Sequence, residues 1–424
     1  MKHSQHIRRI CFKCFTSSRS KFLPFATKAY LATVPLRESH AVIVVHSGQD
    51  TLEATTTSER RTRVEAVVHG PQVSPEEEER AARVKEELRE RLVQREVHQA
   101  AKLEGKLTEV LYRMAVQKSG PEAGRKILER LELKRELRDA ELQGEPRVFK
   151  HRRDADLRTE EPVWVSNEVA EISLKSKEGL HKAIWKSEEG EPLMIDKEGK
   201  IHGVYGMDPQ TQYRHEWLAG FISEALSRGE EEPMVPATVI RLVDGRIGSA
   251  QDFVDGVIAA TAQEAYGFSW MDADGKQLQL LSAMDYILEN LDGKNNNFMI
   301  TADGKVRAID QALTLTPAPL HESEQLIRSF PLRLQRKQPI DQEVQARLKV
   351  LFEPQISALL KEVFNFALRW HSNELFDRFQ KRVQELLEKR EFPDYAFLIK
   401  DDEKIFNEGL GWAKTQQLIS IRGE

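Results

Sequence analysis

The stretch from Leu280 to Leu313 reads LLSAMDYILENLDGKNNNFMITADGKVRAIDQAL and carries the most informative pattern in this 424-residue chain. Apolar residues recur at helical spacing from Gln277 to Leu291, which predicts a helix. The polar run at 292–297 then predicts a loop, and two short apolar runs around Asp303-Gly304 predict a β-hairpin. The stretch is therefore expected to fold as helix, loop and hairpin, with an acidic residue directly after the hairpin.

The polar residues of this stretch have the spacing of a phosphoryl-transfer site. Such a site needs a carboxylate that orients the acceptor hydroxyl, and oxygen ligands for the magnesium ions that bridge the nucleotide phosphates. Asp292 fits the first role, and Asn297 with Asp310 fits the second. The same letters also suit an ordinary surface turn, because Asn, Asp and Gly tolerate left-handed backbone. Motifs elsewhere in the chain distinguish a phosphoryl-transfer site from a surface turn.

Two upstream segments favour the site. His181 to Lys186 alternates polar and apolar residues, which predicts a strand that ends in a lysine able to reach nucleotide phosphates. Tyr213 to Ser227 carries an apolar helical stripe with Glu216 beside it, and such a glutamate can hold the strand lysine in place. The alternative is that Lys186 and Glu216 are ordinary solvated charges.

A second predicted hairpin follows these segments. Met234 to Leu242 and Ile247 to Val254 are apolar runs around Val-Asp-Gly-Arg. The second run would lead into a hinge whose backbone holds the nucleotide base, with Gln251, Phe253 and Val254 as the candidates.

Taken in order, these motifs resemble the atypical kinases of the phosphatidylinositol 3- and 4-kinase type and the related actin-fragmin kinases, over roughly residues 170 to 390. The resemblance implies an α+β, bilobal protein-kinase-like fold with a helical N-terminal extension, and dependence on ATP and Mg²⁺. It implies that Lys186 binds the nucleotide phosphates while Glu216 anchors it, that Asp292 is catalytic, and that Asn297 and Asp310 bind metal. Lys294 would neutralise the transferring phosphate.

The chain departs from the kinase pattern at three places. Asn290-Leu291 stands before Asp292 where many kinases have His-Arg, and Gln311-Ala312 follows Asp310, where glycine would give the backbone more freedom. The loop expected to cover the phosphates, Ser173 to Leu180, contains only one glycine.

The composition suggests several segments along the chain. The expected divisions are a basic tail at 1–74, a helical hairpin or coiled coil at 75–144, a linker at 145–165, a kinase-like N-lobe at 166–255, a C-lobe at 256–400 and a C-terminal segment at 401–424. The 75–144 segment breaks at Ser119-Gly120-Pro121 into two helices. These helices are expected either to pack on the kinase domain or to bind a protein partner or a second copy.

Global composition excludes some classes of protein. The formal net charge of −5 gives no indication of nucleic-acid binding, and no run of 18 apolar residues predicts a membrane span. Only two cysteines occur, Cys11 and Cys14, which fits a cytoplasmic protein; with His3 and His6 they form an alternative zinc set. The basic residues from Met1 to Arg37 suggest organelle targeting as an alternative location.

The function expected from these patterns is transfer of the γ-phosphoryl group of ATP to a hydroxyl on a protein, a lipid or a small molecule. A pseudokinase or scaffold is the alternative, and transfer of a nucleotidyl group is a third possibility. A lipid acceptor would fit a basic surface, for which Arg328, Arg333, Arg336 and Lys337 are the candidates.

Overall fold

The computed structural model describes residues 74–153, 155–156, 166–177, 179–195, 201–203, 207–228, 231–317 and 329–394. The predicted tail up to residue 73, with the alternative zinc set and targeting segment, lies outside the described residues. So does the predicted C-terminal segment at 401–424. The described residues from Glu76 onward belong to one compact unit that mixes helices and sheets, which confirms the α+β class.

Two long helices form an N-terminal arm. Helix α1 spans Pro75–Ser119 and helix α2 spans Pro121–Asp139, so the predicted break between them is confirmed. Gly120 separates the helices with a φ of 86°, a backbone region that glycine enters at little cost. Pro121 then starts α2, where its missing N–H removes no helical hydrogen bond.

The arm packs on the apolar core from Val93 onward, and Arg89 before it pairs with Glu188 and Glu189. Leu103, Leu107 and Leu111 of α1 share one apolar core with Trp217. The earlier part of α1 is largely exposed, and the apolar residues exposed there are Val84, Leu88 and Leu92. The alternative in which the arm packs on the domain is therefore confirmed for the second half of α1 and for α2.

A five-stranded sheet lies against the arm, in the order β1-β3-β4-β8-β7. Its strands are β1 (Arg147–Lys150), β3 (Val169–Ser176), β4 (Gly179–Ser187), β7 (Thr238–Val243) and β8 (Arg246–Asp252). Strand β1 falls inside the segment predicted to be a linker, so that interpretation is wrong for Arg147–Lys150. One face of the sheet is covered by α2, whose Leu137 packs with Ile172 and Trp185.

Helix α3 (Gln212–Ser227) lies on the other face of this sheet, between β7, β8 and the arm. The apolar stripe is typical of an amphipathic helix with one solvent-exposed side, yet every residue of α3 is buried. Some of its polar residues bind the arm, as Arg214 does with Glu96 of α1 and Glu224 with Lys134 of α2, which the helical period of α3 alone could not reveal. Glu216 points instead at Lys186 and Ser249 of the sheet, and it is 1% exposed.

Two smaller sheets complete the strands. One contains β2 (Ala155–Asp156), β5 (Leu193–Ile195) and β6 (Ile201–Gly203); the other contains β9 (Gly256–Ile258), β10 (Phe298–Thr301) and β11 (Val306–Ala308). Strands β10 and β11 pair antiparallel, with Gly304 in the turn at a φ of 80°. The hairpin predicted around Asp303-Gly304 is confirmed.

The remaining elements are helical: α4 (Ala259–Tyr266), α5 (Gly275–Ile287), α6 (Phe330–Leu334), α7 (Gln342–Val350), α8 (Pro354–Leu368) and α9 (Ser372–Lys389). Helix α5 was predicted to continue to Leu291 but ends at Ile287, because Glu289 takes a φ of 50° and Leu288 O accepts from Leu315 N. No helix among the described residues is long and apolar enough to cross a bilayer.

Candidate active site

The site is built around Lys186, near the end of β4. Its Nζ donates to Glu216 Oε1 at 2.7 Å and to Asp310 Oδ1 at 2.8 Å. The Lys186–Glu216 pair expected from the sequence is therefore formed, between a strand and a helix 30 residues apart. The contact with Asp310 brings the residue after the β10–β11 hairpin to the same ammonium group.

Electrostatics keep this cluster charged. Burial acts to lower the pKa of Lys186, but the carboxylates of Asp310 and Glu216 outweigh it and raise that pKa above its ordinary value. Burial acts to raise the pKa of Asp310, but the Lys186 ammonium outweighs it and holds that pKa below its ordinary value. With two carboxylates around one ammonium, the cluster has a formal charge of −1 and favours an additional cation.

Ser249 completes the cluster, and the sequence patterns did not identify it. Its Oγ donates to Glu216 Oε2 at 3.0 Å, so both carboxylate oxygens of Glu216 have donors. Ser249 lies on β8 directly opposite Lys186. The predicted β7–β8 hairpin contains Ser249, but only the β4–β8 register reveals which of its residues faces Lys186.

The predicted polar loop carries Asp292, Lys294 and Asn297. Asn297 Nδ2 donates to the main-chain oxygen of Asp292 at 2.6 Å and to Asp292 Oδ2 at 3.0 Å. Lys294 Nζ donates to both carboxylate oxygens of Asp292, at 2.9 and 2.8 Å. Because the amide nitrogen of Asn297 is committed to Asp292, its Oδ1 is the atom left to bind a cation.

Asp292 and Asp310 lie close enough to influence each other. Burial raises the pKa of Asp292 and the charge of Asp310 raises it further, while Lys294 opposes both effects. The backbone brings the two loops together, since Ile309 N donates to Asn297 O at 2.8 Å. Asp310 itself has a φ of 57°, a left-handed conformation that is uncommon outside glycine and clusters at functional sites.

The donor set fits magnesium. Asn297 and Asp310 offer hard oxygen ligands, and Mg²⁺ is usually held by one or two carboxylates with phosphate oxygens and water. In the described part of the chain, no three His, Cys, Asp or Glu side chains form a metal cluster by themselves. A cation at this place would need the nucleotide phosphates as ligands as well.

The residues around Asp292 form a buried polar network that the sequence patterns also missed. Asn290 Oδ1 accepts from Asp292 N at 2.9 Å, while Asn290 Nδ2 donates to Asp285 Oδ1 at 2.8 Å and to Gln311 Oε1 at 3.2 Å. Ser329 Oγ donates to the other oxygen of Asp285 at 2.5 Å. Burial raises the pKa of Asp285 to about 6, and its two donors oppose that rise. Asn290 and Gln311, which belong to two of the three departures from the kinase pattern, thus bond to each other.

The three hinge candidates have different environments. Gln251 lies inside β8, and its Nε2 donates to Thr238 Oγ1 at 3.1 Å. Phe253 N donates to Lys182 O at 3.3 Å. Val254 N–H has no acceptor among the described residues, so it is the candidate whose backbone donor is available to a nucleotide base.

The predicted phosphate-covering loop lies in the wrong place. Ser173 to Leu180 forms the β3–β4 hairpin, which closes between Ser176 and Gly179. Lys186 is at the opposite end of β4, about 20 Å away at the rise of a strand. A loop at that end of the sheet cannot cover phosphates held by Lys186.

The basic cluster suggested for a lipid acceptor is partly paired with one acidic residue. Lys337 Nζ lies 2.6 Å from Asp394 Oδ2, and Arg336 pairs with the same carboxylate. Arg328 lies outside the described residues. One carboxylate balances only one of these two positive charges, so a lipid acceptor at this surface stays a prediction.

No protein-family model matches this chain, and no curated protein matches it. The functional interpretation therefore rests on the geometry around Lys186 and Asp292.

Proposed function

We propose that this chain is an ATP- and Mg²⁺-dependent phosphotransferase with a bilobal, protein-kinase-like arrangement of the described sheets and helices. The observation that carries the proposal is the triad of Lys186, Glu216 and Asp310, formed between three segments that the kinase pattern assigns to one site. The loop with Asp292 and Asn297 lies beside it with matching hydrogen bonds. Chance surface turns would not produce this convergence of buried charges, because burying charges is costly unless they are paired.

In this proposal Lys186 binds the nucleotide phosphates and Glu216, held by Ser249, fixes the direction of its ammonium group. Val254 offers a backbone donor to the base. Magnesium, held by Asn297 Oδ1 and Asp310, would neutralise charge on the phosphate oxygens.

Asp292 orients the acceptor hydroxyl in this proposal. Its carboxylate accepts the hydrogen bond of the acceptor hydroxyl and aims the oxygen at the γ-phosphorus. The new bond joins the acceptor oxygen to that phosphorus while the bond to the β-phosphate bridging oxygen breaks; ADP leaves, and the hydroxyl proton passes to Asp292 and then to water. Lys294, which holds Asp292 in this structure, would turn to the transferred phosphoryl group.

The test is an Asp310→Ala variant assayed with γ-labelled ATP against a panel of proteins, inositol lipids and metabolites. We expect the wild type to transfer label and the variant to lose transfer by at least a hundredfold, since it removes a metal ligand. Asp303→Ala is the matched control, because Asp303 lies exposed on the neighbouring hairpin and pairs only locally with Lys305 and Thr301. Equal transfer by wild type and Asp310→Ala would refute the assignment.

A pseudokinase or scaffold is the second candidate, favoured by the double hydrogen bond from Lys294 to Asp292. That contact occupies the carboxylate which catalysis needs. Stabilisation of the wild type by Mg-ATP in thermal unfolding, with no label transferred to any acceptor, would support it. Transfer of α-label instead of γ-label would indicate nucleotidyl transfer.

A further inference from the structure

The register of the large sheet places a second lysine beside the triad. Lys150 of β1 pairs with Val169 of β3. The next residue of β3, Ala170, pairs with Trp185 of β4. Because β3 and β4 are antiparallel, Val169 therefore lies beside Lys186. Directly opposed residues point to the same face of a sheet. Lys150 and Lys186 therefore face the same side, two strand spacings or about 10 Å apart.

A β-bulge is responsible for the direction of Lys150. The pairing shifts between Val148, opposite Ala170, and Lys150, opposite Val169, so β1 has one extra residue there. In a regular strand Lys150 would share the face of Val148, because side chains alternate with a period of two. That face is the one covered by α2. The bulge turns Lys150 to the face that carries Lys186.

Lys150 differs in its pairing from other lysines of this sheet. The neighbouring lysines of the sheet are paired: Lys175 with Glu141 at 3.4 Å and Lys182 with Glu171 at 3.0 Å. Among the described residues, no carboxylate pairs with Lys150.

We infer that Lys150 is a second cation for the nucleotide phosphates, which reaches them from β1. This inference rests on the proposed function. The glycine-poor β3–β4 hairpin is too far from Lys186 to cover the phosphates, whereas the end of β1 lies at the Lys186 end of the sheet. A lysine provides a flexible point charge with three donors, so it can bind phosphate oxygens without a close approach of the backbone.

The experiment compares Lys150→Ala with Lys150→Arg and with the control Lys175→Ala, which removes an exposed lysine from the far end of the same sheet. Dissociation constants are measured for Mg-ATP and for adenosine, which has the base but no phosphates. Loss of a charge-assisted hydrogen bond should weaken Mg-ATP binding by Lys150→Ala about tenfold to hundredfold. Adenosine binding should not change, Lys150→Arg should retain most of the affinity, and Lys175→Ala should behave as wild type.

Two outcomes would overturn the inference while leaving the proposed function intact. In the first, Lys150→Ala binds Mg-ATP as tightly as a wild type that is competent to bind it. In the second, Lys150→Ala loses affinity for Mg-ATP and for adenosine by the same factor. A wild type that binds adenosine but gains nothing from the phosphates would overturn the inference as well. A wild type that binds neither ligand would overturn the proposed function together with it. Thermal unfolding of each variant checks that the exposed substitution leaves the fold unchanged.

Discussion

Asn290 Nδ2 donates to Gln311 Oε1 at 3.2 Å, and this hydrogen bond joins the loop of Asp292 to the residue after Asp310. Both side chains are fully buried. Each residue by itself departs from the kinase pattern and would argue against a working site. Together they form one connection that holds the two loops at a defined separation, because Asn290 also fixes the backbone N–H of Asp292.

Breaking this connection should reduce both stability and turnover. Asn290→Ala leaves Asp285 Oδ1 and the Asp292 N–H without a partner, although Asp285 Oδ2 keeps the bond from Ser329, so we expect a loss of about 2 kcal/mol in unfolding free energy. A double-mutant cycle with Gln311→Ala should give a coupling energy of about 1 kcal/mol. Asn296→Ala, an exposed substitution in the same loop, is the control. Strict additivity of the two buried substitutions would contradict the connection.

Stability should fall with acid through His215. Its Nδ1 donates to Thr314 O at 2.6 Å, and burial lowers its pKa to about 4. The unfolded chain binds this proton near pH 6.5, before the folded protein does, so stability present above pH 6.5 is lost as the pH falls to about 4. The loss amounts to about 3 kcal/mol.

Urea unfolding of wild type and His215→Asn, measured between pH 4 and pH 7.5, checks this prediction. The difference in unfolding free energy between the two proteins should shrink as the pH falls. A pH-independent difference would rule out a buried neutral imidazole at this position.

The arm should be required for the position of helix α3. Glu104 of α1 is 1% exposed, accepts from Trp217 Nε1 at 2.7 Å and pairs with Arg138. Glu104→Ala leaves that arginine buried without its partner, so we expect a loss of about 3 to 5 kcal/mol in unfolding free energy. Glu109→Ala, on the exposed side of the same helix, should change stability by less than about 0.5 kcal/mol. Similar effects of the two substitutions would contradict the docking of the arm.

Gly248 should not tolerate a side chain. A Cβ at Gly248 would lie 2.2 Å from the main-chain oxygen of Lys186, on the strand that carries the lysine of the triad. Gly248→Ala should therefore destabilise the protein by about 1 to 3 kcal/mol and weaken Mg-ATP binding by displacing Lys186. Gly105→Ala provides the contrast, since nothing lies within 4 Å of its Cβ and α1 should gain about 0.5 to 1 kcal/mol. Chemical denaturation measures whether the unfolding free energy falls in Gly248→Ala and rises in Gly105→Ala, as we expect.

Many elements could be predicted because their signals are local. The two arm helices, the strand ending in Lys186 and both hairpins follow from periodicity and from Gly and Pro positions. Predictions failed where distant parts of the chain compete with local preference. Strand β1 is an example, because it forms within the charged segment predicted to be a linker, where β3 offers it a partner.

The sequence by itself determined the polar residues at 186, 216, 292, 297 and 310 and the elements that carry most of them, because helical and strand periods are encoded within a dozen residues. Only the tertiary structure decided that Lys186 lies between Glu216 and Asp310, that Ser249 and Asn290 support them, and that Lys150 turns toward the same face. Strand register, a β-bulge and the packing of the arm on α3 set these relations. They depend on contacts between segments up to more than a hundred residues apart, such as Lys186 with Asp310, which no local pattern encodes.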